Sequence, residues 1–123
     1  MPPPSEPTIL LLHGTTRQRA EAIVLYGPDP NFKEPGGVVA DGISMAPTHG
    51  PYPQGSPEDV ARHKAALFPA EGGPAILEIE ISLSILNLAY NYEVEIRFEL
   101  DAGLSELVQA WPLLRKQIRL LKM

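Results

Sequence analysis

The run Ile9-Leu10-Leu11-Leu12-His13-Gly14-Thr15 sets residues able to do chemistry at the end of an apolar segment. Histidine is neutral near pH 7 and offers one donor and one acceptor nitrogen. Glycine has no side chain, so a ligand can approach the backbone at Gly14. The tripeptide equally fits a buried, hydrogen-bonded histidine ahead of an ordinary strand-to-helix turn.

Other chemistries find less support. His13, His49 and His63 are far apart, and no pair has the spacing of metal ligands on a helix, so no metal is expected. The absence of cysteine removes thiolate zinc sites, disulfides and cysteine nucleophiles. Leu10-Leu11-Leu12-His13-Gly14 is similar to the oxyanion strand of α/β-hydrolases, and Gly42-x-Ser44-x-Ala46 to a degraded nucleophile elbow. That fold needs a larger alternating domain and a late Asp and His, whereas His63 is the last histidine of the chain.

The elements that must position these residues are legible from periodicity. Residues 8–12 read as a buried strand. Thr15 and Gln18 have capping-box spacing, and a helix over 16–26 stops at Gly27-Pro28. Residues 28–57 hold seven of the 14 prolines and five of the 10 glycines, so only 37–46 can contain a short strand there. Ser56-Pro57-Glu58-Asp59 opens a second helix over 57–68. Alternation predicts strands over 76–85 and 92–100, which as chain neighbours would pair antiparallel. Leu104, Leu107, Val108 and Trp111 are spaced for a helix that Pro112 interrupts, and 113–123 is either an amphipathic helix or a closing strand. The order predicts an α+β fold with a mixed, twisted sheet and flanking helices, in one domain over 8–123 after a flexible proline-rich tail over 1–7.

Hydrophobic residues make up 44% of the 123, charged residues 20%, and the net charge is −5, as in a globular protein without the basic excess of nucleic-acid binders. Residues 1–7 lack the basic and apolar regions of a signal peptide, and no stretch is apolar enough to span a membrane, so a cytoplasmic protein is expected. Arg115, Lys116, Arg119 and Lys122 could meet an acidic partner or a nucleic-acid backbone, which leaves open a non-catalytic binding module acting through them or through the proline-rich loop.

Leu12-His13-Gly14-Thr15, the following helix and Gly27 together resemble the opening of the ADP-ribosyltransferase superfamily. Gly42-Ile43-Ser44-Met45-Ala46 resembles its second signature, and Tyr92-Glu93-Val94-Glu95-Ile96 the strand that carries its catalytic glutamate. The resemblance spans roughly residues 9–100 and implies a split sheet, NAD as substrate, nicotinamide release and an acceptor that is a protein, a nucleic acid or a small molecule. It implies Glu93 as the carboxylate that stabilises an oxocarbenium-like ribosyl cation, with Glu95 as rival on the same face. It implies His13 as a hydrogen-bond partner of a ribose hydroxyl, Gly14 as a backbone clamp for the carboxamide, and Thr15 as the last binding residue of the motif. Ser44 stands where the family has a stacking tyrosine, so low turnover is expected unless Tyr52 or Tyr26 supplies the ring. Without the resemblance, Glu93, Glu95 and Glu99 read as a solvated strand face.

Overall fold

The apolar run beginning at Thr8 forms the central strand of an antiparallel sheet, seen in a computed structural model that describes residues 7–27, 42–48, 56–91, 96–99, 103–114 and 118–121. This strand, β1 (Thr8–Thr16), leads into α1 (Arg17–Tyr26). There follow β2 (Gly42–Pro47), α2 (Pro57–Leu67), a 3-10 turn (Pro69–Glu71) and β3 (Pro74–Ser82). The chain continues through α3 (Leu83–Leu86), β4 (Tyr90–Asn91), β5 (Ile96–Glu99), α4 (Leu104–Leu114) and β6 (Arg119–Leu121). The sheet has six strands in the order β4-β5-β2-β1-β3-β6.

Every ladder among the described residues is antiparallel, which corrects the expected mixed sheet. The two alternating strands are not neighbours either. Between them the order places β1 and β2, because β3 pairs with β1 and β6 while β5 pairs with β2 and β4. The predicted strand over 76–85 stops at Ser82, whose hydroxyl accepts from the Ile85 N–H and caps α3. A capped turn consumes the residues that alternation alone would have kept extended.

β1 is longer than its apolar run. All nine of its residues pair with β3, from Thr8 opposite Ser82 to Thr16 opposite Pro74, so the partner's length carries His13 to Thr16 into the sheet. Thr16, not Thr15, then caps α1 by accepting from the Arg19 N–H at 3.4 Å. Gly27, at φ 80°, ends the helix, and the Trp111 ring lies 3.2 Å from where a Cβ on Gly27 would stand. Pro112 sits inside α4 rather than breaking it; near the helix end its missing N–H forfeits a single bond. At the other terminus, Pro7 is held by its carbonyl, which accepts from the Leu83 N–H at 3.0 Å, so the described part of the expected tail is engaged. The closing-strand reading of the C-terminal segment is met at Arg119–Leu121, which pairs with β3.

One face of the sheet carries the core: Leu11, Leu77 and Ile79 pack with Ala20 of α1 and with Leu107 and Trp111 of α4. The other face receives α2, which contacts β1 and β3. Ser56 and Asp59 form a reciprocal capping box at the start of α2, with Pro57 in the first turn, as their spacing predicts. Among the described residues no helix is long and apolar enough to cross a membrane. Ser56→Ala should lower stability by about 1 kcal/mol, the usual cost of losing such a cap. Urea denaturation measures it, and an unchanged midpoint would show that α2 is held in place without its cap.

Candidate functional site

β2 changes neighbours along its length. Gly42 to Met45 pair with β5, whereas only Ala46 and Pro47 pair with β1, opposite Leu12 and Leu11. Continued by two residues, the second register would set Gly14 opposite Ser44, but the ladder ends at Leu12. There a side chain takes over from the backbone: the His13 Nδ1–H donates to the Ser44 carbonyl at 2.6 Å. The β1 segment that carries the motif thus meets the β2 segment that carries Ser44 where the sheet divides between two ladders.

A carbonyl can only accept, so the proton of the neutral ring lies on Nδ1 and the lone pair on Nε2. Burial first, and the Lys64 ammonium second, push the His13 pKa from 6.5 down to about 3, against an upward pull from the Ser44 carbonyl. At neutral pH His13 therefore presents an acceptor nitrogen and cannot serve as a general acid.

Gly14 has a different reason to be glycine from the one its motif suggests. A Cβ there would lie 2.2 Å from the Pro57 carbonyl oxygen and 3.1 Å from the Ala61 nitrogen. The missing side chain admits the first turns of α2 against the strand. The Gly14 carbonyl is also occupied, by a hydrogen bond from Lys64 Nζ at 3.2 Å. Lys64 is not among the residues that the motifs single out. Its signal was the spacing of Pro57, Ala61 and Lys64, which share one helix face, two of them small enough to touch a strand.

The other predicted residues divide clearly. Thr15 is buried, 2% exposed, opposite Ala75 and on the face of Leu11 and His13. Tyr26 is 82% exposed at the end of α1 and supplies no stacking ring to His13. Glu93, Glu95 and Tyr52 lie outside the described residues. Among the described residues no cluster of three or more His, Asp or Glu side chains forms that could hold a metal ion. An open groove of about 510 Å³, lined by Thr8, Ile9, Leu10, Pro47, Thr48 and Glu80, lies toward the opposite end of β1 from His13.

Beyond the site, Thr16 and Arg19 are tied to the 3-10 turn. Glu71 accepts from Arg19 Nε at 2.7 Å and from the Thr16 hydroxyl at 2.8 Å, and the Arg19 guanidinium lies 4.1 Å from the Phe68 ring centroid. The Arg19 and Thr16 hydrogen bonds hold the Glu71 carboxyl below the usual carboxylate range. Comparison of the chain with protein-family models, curated proteins and solved structures returned no match.

Two outcomes are expected. Gly14→Ala should cost more than about 2 kcal/mol, because the clash is with helix backbone that cannot rotate away. A urea midpoint within error of the parent's would overturn the close approach of α2. The second concerns pH. The folded state resists a proton on His13 until about pH 3, whereas the unfolded chain takes it near 6.5. Stability from this residue is therefore complete above pH 6.5 and falls on acidification by about 1.4 kcal/mol per pH unit. Glu71, with its lowered pKa, adds a loss only below about pH 4.5. His13→Asn keeps an N–H for Ser44 but cannot titrate, so its denaturation midpoints should lose the slope between pH 6.5 and 4.5. A slope that persists in the variant rules out His13 as its source.

Proposed function

We propose that the chain binds NAD where β1 and β2 cease to pair, and that it acts as an ADP-ribosyltransferase-like protein of low turnover. The observation that carries this reading is the fixed tautomer of His13. Its Nδ1–H is committed to the Ser44 carbonyl, so Nε2 is the nitrogen able to accept from a ribose hydroxyl. A sheet whose second strand changes partners at that point supports it further, since the β1–β2 ladder gives way there to side-chain bonds. In this reading Glu93, with Glu95 as the alternative, stabilises the ribosyl cation as the nicotinamide bond breaks. The acceptor then adds to the ribose carbon and gives up its proton. Nicotinamide leaves with the electron pair of the broken bond.

A specific observation favours a second reading, a non-catalytic binding module. Packing of α2 accounts for Gly14, and Lys64 already occupies the Gly14 carbonyl, which a carboxamide clamp would need. The basic C-terminal segment is a weaker basis for such a module, because Arg119 is engaged by Glu78 across the β3–β6 ladder.

Calorimetric titration with NAD, followed by chromatographic assay of free nicotinamide, separates the two. Binding with slow nicotinamide release is expected. Glu93→Gln should abolish release and spare affinity, because the carboxylate acts on charge that develops only in the transition state. Ser44→Tyr should raise affinity or rate by restoring a ring against nicotinamide. Absence of NAD binding at millimolar concentration gives the module reading its place.

A further inference from the structure

We propose that the edge of β1 at Thr8–Leu10 takes up an extended peptide as an added strand, one with an apolar and a basic side chain two residues apart. The direction of the backbone groups defines this edge. The Pro7 carbonyl accepts from the Leu83 N–H at 3.0 Å, and the Arg17 N–H donates to the Gly73 carbonyl at 2.9 Å. Bonds toward β3 thus come from odd-numbered positions, so Thr8 and Leu10 turn their backbone groups to the other edge. There β2 pairs only with Leu12 and Leu11, and among the described residues no strand lies beside Thr8–Leu10. The open groove lies where that pairing has ended, lined by Pro47 and Thr48 as well as by β1. A chain laid in it gains backbone hydrogen bonds from β1 and is selected through its alternate side chains.

The side chains at the edge say which peptide fits. Leu10, 39% exposed, stands opposite Glu80 in the β1–β3 ladder, so the two share a face, and Thr8 lies on it too. Helix α2 meets that face farther along, at Gly14. The Thr8 hydroxyl donates to the Glu80 carboxylate at 2.6 Å, which draws the charge toward the open edge. Every described ladder is antiparallel, and the added strand follows that sense. Its apolar residue then sits opposite Leu10, and two residues later a lysine or arginine sits opposite Thr8 within reach of Glu80. A second copy of the chain is the poorer occupant, because it would bring another Glu80 carboxylate to the same face. Charge and proline at an edge discourage such self-pairing.

The test titrates the isotope-labelled full chain with a capped hexapeptide that carries isoleucine and, two residues later, lysine. The Thr8 and Leu10 amide signals should shift in NMR. N-methylation of the isoleucine and lysine nitrogens, which face β1 in this register, should abolish binding. N-methylation of the residue between them, which faces away, should spare it. Glutamate in place of the lysine should weaken binding about fivefold, as expected of a solvated charge pair. Glu80→Lys should reverse that preference, and Glu80→Gln, which can still accept from Thr8, should bring the two peptides close to parity. Circular dichroism and urea midpoints check the fold of both variants. The proposal is overturned by unshifted Thr8 and Leu10 amides at millimolar peptide, by equal loss from all three methylations, or by a lysine preference that survives Glu80→Gln. A dimer in sedimentation whose interface protects the Thr8 and Leu10 amides from exchange gives the edge to a second copy and overturns it too.

Discussion

The close approach of α2 to β1 at Gly14 is the constraint on which the surroundings of His13 depend. With no Cβ in the way, the Pro57 carbonyl and the Ala61 nitrogen come against the strand, and the next helical position on that face delivers Lys64 to the Gly14 carbonyl. Burial of His13 on the core face, and then this ammonium, keep its ring neutral. The seat of α2 and the position of its charge are thus consequences of one missing side chain. The contact is with backbone, which has no rotamer to change and so sets the helix position sharply.

His13 in turn does for the sheet what a backbone rung would otherwise do. Where the β1–β2 ladder ends, a polar carbonyl on β2 would be left without its cross-strand donor, and the imidazole N–H supplies it. Burying a polar ring costs little once it is bonded in this way, whereas burying a charged one costs far more. The same bond selects the tautomer. Structure and chemistry are therefore coupled at one residue, and the acceptor character of Nε2 follows from the need to satisfy Ser44.

At the end of β1 a second set of interactions keeps the strand from fraying. Thr16 caps α1 with one side of its hydroxyl and donates to Glu71 with the other, while Arg19 bonds the same carboxylate and lies over Phe68. Helix, strand and 3-10 turn meet in a partly buried ion pair, 17% and 20% exposed, whose hydrogen bonds give it more weight than a solvated surface pair has.

The sequence by itself determined the α+β class, the end of α1, the start of α2, and the inward face of β3. These are local properties: caps act within a turn, and alternation records burial residue by residue. Ser56, Gly27, Leu77, Ile79 and Ile81 all behave as their spacing predicts. Only the tertiary structure decided the strand order, the antiparallel sense of the ladders, and the extension of β1 through Thr16. Those depend on which distant segment supplies the pairing partner. It also decided why residue 14 is glycine and where Lys64 stands. Both follow from a contact between segments more than 40 residues apart, and a sequence pattern on either element alone carries no record of the other's position.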